Sequence, residues 1–111
     1  MQVFKKEMLE ELRSDHKKPC ISIYLPTHET SPDNLQDPIR LKNLVKEAEK
    51  QLTEKYSARE IEGLLEPIQE LGSQDDFWNH MGKGLAVFSS PDYFRTINLQ
   101  METSEEVVVA D

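Results

Sequence analysis

The chain of 111 residues contains one cysteine and four glycines, with more acidic than basic side chains. A lone thiol, Cys20, excludes an internal disulfide and any zinc site built from cysteines. Four glycines are too few for an extended phosphate-cradling loop, and neither a His-Glu-x-x-His nor a Gly-x-Ser-x-Gly word occurs. No apolar run approaches the roughly 18 residues of a membrane span. The opening Met1-Gln2-Val3-Phe4-Lys5-Lys6 lacks the apolar stretch of a signal peptide. Thirteen Lys and Arg stand against 21 Asp and Glu, a formal charge of −8. Such a surface repels phosphate, which excludes broad nonspecific affinity for nucleic acid. The expectation is a cytoplasmic protein with no membrane contact, no cofactor and no resident metal.

What is present is enough for one core. Phe4, Met8 and Leu12, with Leu9 beside them, set an apolar stripe on a helix from about Val3 to Ser14. Cys20 to Leu25 alternates Ile21, Ile23 and Leu25 with Cys20, Ser22 and Tyr24, carries no charge, and reads as a central strand ended by Pro26. Thr27 to Gln36 is a polar loop. Asp37-Pro38 reads as a helix start, with Asp37 as cap and Pro38 in the first helical position. Leu41, Leu44, Val45, Ala48 and Leu52 then share a face to about Glu54.

Ser57-Ala58-Arg59-Glu60 fits a capping box, and Ile61, Leu64, Leu65, Ile68 and Leu71 form the next apolar face, stopped at Gly72. Pro67 inside that pattern predicts a kink or two short helices. The short joint Lys55-Tyr56 predicts an antiparallel helix pair. A brief helix carries Phe77, Trp78 and Met81. Gly84–Ser89 and Tyr93–Leu99 read as a hairpin around Ser90-Pro91-Asp92, and Glu105–Ala110 as a further strand whose Val107-Val108-Val109 run predicts cover on both faces. The fold class is α+β: one domain over residues 1–111, a mixed sheet of about four strands with the helix pair and the short N-terminal helix packed on it.

Several residues are candidates for a site. Thr27 and His28 follow a central strand, where sites often lie in α/β sheets; the competing reading of His28 is a surface histidine. Arg40, Lys42 and Asn43 open the long helix, and Arg40 and Asn43 border its apolar face and can reach under the Thr27-His28 loop. His80, in Phe77-Trp78-Asn79-His80, could join His28 and a carboxylate such as Glu29 or Asp76 around a metal, although their spacing does not specify it. His16 reads as solvated, Trp78 and Phe77 as core anchors, and Cys20 as an inert buried thiol. Tyr93, Phe94 and Arg95 offer a small aromatic-basic surface against the simpler reading of hairpin packing.

Four words in order, Ser22-Ile23-Tyr24-Leu25-Pro26-Thr27-His28, Gln36-Asp37-Pro38-Ile39-Arg40-Leu41-Lys42-Asn43-Leu44, Phe77-Trp78-Asn79-His80 with Gly84-Leu85-Ala86-Val87-Phe88, and Val107-Val108-Val109-Ala110-Asp111, run over nearly the whole chain. Together they resemble the N-terminal region of the bacterial archaeo-eukaryotic release factor family, in its third subgroup. The resemblance implies the front part of a longer protein, whose later domains are related to the central and C-terminal domains of peptide release factors. It implies a role at the ribosome, in release or rescue of stalled peptidyl-tRNA. The Gly-Gly-Gln loop of ester hydrolysis and the Asn-Ile-Lys-Ser codon-reading word do not occur in this chain. The resemblance therefore implies a noncatalytic domain whose partners are later domains of the same protein and the ribosome or RNA. It sets Thr27, His28, Arg40, Lys42, Asn43, Trp78, His80 and Arg95 as a shared polar set, without a role for any one of them. Two other functions compete: a small hydrolase or metal enzyme around His28 and His80, and an interaction or dimerisation module in which the C-terminal strand pairs with another chain.

Overall fold

Alternation along Cys20–Pro26 sends Ile21, Ile23 and Leu25 to one side of a strand, β1, and Ser22 and Tyr24 to the other, and every residue from Cys20 to Leu25 is buried. In the computed structural model, which describes residues 19–28, 33–79, 81–91 and 93–110, this strand lies inside a four-stranded sheet. The helix expected over Val3–Ser14, His16 and His80 lie outside the described residues.

From β1 the chain passes through a 3₁₀ turn, Asp33–Gln36, into helix α1 (Asp37–Thr53) and back through α2 (Ala58–Leu71) and the short α3 (Asp75–Trp78). The hairpin β2 (Gly84–Ser90) and β3 (Tyr93–Leu99) follows, then β4 (Glu106–Ala110). The strand order is β3-β2-β1-β4, a Greek-key order with the helices inserted between β1 and β2. The class is α+β.

The expected mixed sheet is corrected in one respect: all of its pairings are antiparallel. Two long helices run out and back, so the chain re-enters the sheet at the end where it left. Pro26, the last residue of β1, accordingly pairs with Gly84, the first of β2.

One face of the sheet holds the main core. Ile21, Ile23, Leu25, Leu85 and Val87 meet Leu41, Val45, Ala48 and Leu52 of α1 and Ile61, Leu64, Leu65, Ile68 and Leu71 of α2. The other face buries Tyr24, Ala86, Phe88, Ile97 and Leu99, with Tyr24 edge-on to Phe88 at 6.1 Å between ring centres. The valines of β4 are divided by alternation: Val107 and Val109 pack on the helix-side core, Val108 on the second cluster. All three are half-buried rather than covered, because β4 is an edge strand.

Ser57 caps α2 as its sequence predicts, its Oγ accepting from the Glu60 N–H at 3.3 Å. The break expected at Pro67 does not occur, and α2 runs unbroken from Ala58 to Leu71. Five buried apolar residues hold its inner face, and the Ser89 hydroxyl of β2 donates to the Leu64 carbonyl at 2.7 Å, in the turn that the proline ring crowds. Cys20 is buried. Among the described residues, no helix is long and apolar enough to cross a membrane.

Candidate functional site

The best-defined polar arrangement is at the end of the sheet where β1 stops and α1 begins. Asp37 lies four residues before Leu41, so it continues the buried stripe Leu41, Val45, Ala48 and Leu52. It is fully buried. Its Oδ2 accepts from the His28 backbone N–H at 2.9 Å, and its Oδ1 lies 2.8 Å from His28 Nδ1. Both carboxylate oxygens thus hold one residue.

This corrects the expected capping role. Asp37 is the first residue of α1, after Gln36, whose side chain makes no capping bond, and Pro38 follows in the first turn. The 3₁₀ turn carries the chain into α1 in helical geometry, leaving the carboxylate to point back at the strand end. A carboxylate at a helix N-terminus also has the favourable sense of the helix dipole.

The geometry fixes the imidazole. A carboxylate only accepts, so Nδ1 carries the hydrogen and, in the neutral ring, Nε2 is left as the acceptor. The ring is about one-third exposed (36%), while its partner is sealed. An imidazole oriented in this way can accept a proton, bind a hydrogen-bond donor or ligate a metal through Nε2.

Thr27, beside it, is tied down on both its hydroxyl and its backbone. Its Oγ1 donates to the Gly82 carbonyl at 2.8 Å, and its N–H donates to the Lys83 carbonyl at 3.1 Å. The Gly82 N–H in turn donates to Asn98 Oδ1 at 2.8 Å, and the Lys83 N–H to the Leu99 carbonyl at 3.0 Å. One hydrogen-bonded knot therefore joins the end of β1, the segment before β2 and the end of β3.

The remaining candidates do not converge on this knot. Arg40 is half-buried on α1 and makes no hydrogen bond or ion pair with another described residue. Lys42 and Asn43 are exposed, so Asn43 does not reach under the Thr27-His28 loop. Trp78 is a core residue, as its apolar bulk predicts: it is buried, stands edge-on to Phe77, and its Nε1 donates to the Leu71 carbonyl at 2.7 Å at the end of α2. Arg95 pairs with Phe88 in the sheet and shares its face, opposite the helices, so it is separated from Arg40 and Lys42 by the sheet itself. His80 and Glu29 lie outside the described residues, as does any geometry between His28 and His80. Among the described residues no group of three or more His, Cys, Asp or Glu is placed to hold a metal.

Sequence reasoning missed the partner of His28. The signal was there, since an aspartate on the apolar stripe of a helix must find a buried partner. Asn98 and Ser89 left no such signal, because an exposed strand asparagine and a strand serine are ordinary residues. No protein-family model matches the chain, and no curated protein matches it significantly.

Proposed function

We propose that this chain is a noncatalytic, release-factor-like N-terminal domain that works by contact, at the ribosome and with other domains of its protein. The observation that supports it is how the polar residues are used. The first two words of the resemblance, Ser22–His28 and Gln36–Leu44, meet through the His28–Asp37 pair. Thr27 and Trp78, from the first and third words, place their side-chain donors on backbone carbonyls. These residues act as fasteners of a scaffold. Of the candidate cations, the exposed Lys42 on α1 and Arg95 on β3 stand on opposite sides of the sheet, so a contact with RNA that uses them engages one side at a time.

The test is cosedimentation of the full-length protein with ribosomes, with and without stalled complexes. Association is the expected result, and its absence in both conditions sinks the reading. The double change Arg40→Ala, Lys42→Ala weakens that association if the α1 side makes the contact.

A second reading rests on the His28 ring. An imidazole held at Nδ1 by a sealed carboxylate is also the arrangement of a general base, the reading of a small hydrolase or metal enzyme. Its test is turnover of activated ester substrates, with and without zinc, by the wild type and His28→Ala. Activity that survives His28→Ala unchanged removes it.

A further inference from the structure

Among the described residues the sheet has two edges, β3 and β4, and they differ in chemistry. Strand edges offer unpaired backbone donors and acceptors to any other strand, and proteins blunt them with charge or proline. β3 carries exposed Arg95 as its third residue and follows Pro91. β4 carries Val107, Val108 and Val109 in succession, with Glu106 its one charged residue and Asp111 next in the sequence. All three valines are half-buried, so each retains accessible apolar surface.

The helix surface beside this edge adds a second observation. A concavity of about 340 Å³ is lined by Val109 and by Glu47, Lys50 and Glu54 on α1 and its C-terminal end. Neither Lys50 nor Glu54 is in an ion pair with another described residue. A surface with both signs interleaved is complementary to itself across a two-fold axis, and isologous dimers use such surfaces.

We infer that β4 pairs antiparallel with β4 of a second copy of this chain, joining two four-stranded sheets into one. A two-fold axis at Val108, the middle residue of the strand, sets Val108 against the partner's Val108 and Val107 against the partner's Val109. The valines on each face then meet valines of the same face. Lys50 of one protomer approaches carboxylates of the other.

Sedimentation equilibrium of the 111-residue chain over a wide concentration range is the first measurement. A monomer–dimer equilibrium is expected, and a monomer at the highest concentration overturns the inference. Val108→Lys sets two like charges directly opposite one another and weakens the dimer about tenfold or more. Val108→Glu does the same, and an equimolar mixture of the two variants recovers the dimer, because Lys then faces Glu. Failure of the mixture to recover it overturns the two-fold pairing, provided circular dichroism shows both variants folded. If either variant does not fold, amide hydrogen exchange of the wild type decides. Protection of the β4 amides that rises with concentration is expected, whereas a rise on β3, or no rise in β4, overturns it. Dimerisation is read without ribosomes, so its failure is distinct from failure of the ribosome-contact proposal.

Discussion

Asp37 is fully buried, and its two oxygens take hydrogens from a single residue, His28. Removing the carboxylate leaves a backbone N–H and a ring N–H without their acceptor at the start of the longest helix. Asp37→Ala should lower the unfolding free energy by about 1.5–3 kcal/mol, the range for a hydrogen bond to a charged group, measured by urea titration. His28→Ala should cost less, because the backbone N–H to Oδ2 survives it. The ring term is isolated by a double-mutant cycle, in which the two changes together should cost less than their sum. Asp37→Asn is the sharper probe of the ring itself. With its amide NH₂ turned to Nδ1, the imidazole must exchange its hydrogen for a lone pair there and carry the hydrogen on Nε2. Nitrogen NMR of the His28 ring reads that tautomer switch directly, and an unchanged tautomer would show the asparagine oxygen still facing the ring.

The helices show which local rules survive tertiary context. Apolar spacing placed α1 and α2 correctly, because a stripe such as Ile61, Leu64, Leu65, Ile68 and Leu71 has only one way to be buried. The β2–β3 hairpin was equally legible, from its turn residues and β-prone strands. Pro67 misled, because its local cost is outweighed by five buried side chains; one residue beyond the Gly63 carbonyl that the proline leaves without its N–H, the Leu64 carbonyl takes a donor from Ser89, on a strand 25 residues away in sequence. No local pattern announces such a bond. Ser89→Ala should therefore destabilise the protein by about 1 kcal/mol or somewhat more, as expected for a buried hydroxyl–carbonyl bond. Pro67→Ala restores a helical N–H beneath Gly63 and should raise stability. In its presence the cost of Ser89→Ala should shrink, if the serine compensates for the proline. Equal costs in both backgrounds would make the Ser89 bond independent of it. The site was legible only in part: Thr27 and His28 stand out as polar residues just past β1, but Asp37 reads locally as a helix cap, and the Gly82 carbonyl that holds Thr27 lies 55 residues on, across the sheet.

At the scale of the molecule, the antiparallel sheet depends on one crossing. β3 ends beside the start of β2, where Leu99 pairs with Gly84, and β4 begins on the far side of β1, where Glu106 pairs with Tyr24. The segment between them, 100–105, must pass across the sheet end that carries Thr27, His28 and Asp37. Gly84 lets it lie close, and Gly82 does the same for the end of β3. A Cβ on Gly84 would sit 2.8 Å from the Met101 carbonyl oxygen, and one on Gly82 would sit 2.7 Å from the Leu99 carbonyl oxygen. Both obstacles are backbone, so neither can rotate aside. Gly84→Ala should push the crossing segment away from the sheet end and cost about 1–3 kcal/mol, as for other overpacked sites. Gly82→Ala should cost a similar amount and also strain the Thr27 and Asn98 bonds that converge on that residue. By contrast, Gly63→Ala, on the exposed side of α2 with nothing near its Cβ, should stabilise by roughly 0.5–1 kcal/mol through helix propensity alone. Thermal unfolding of the three variants separates close approach from propensity. If all three move in the same direction, close backbone approach is not what Gly82 and Gly84 accommodate.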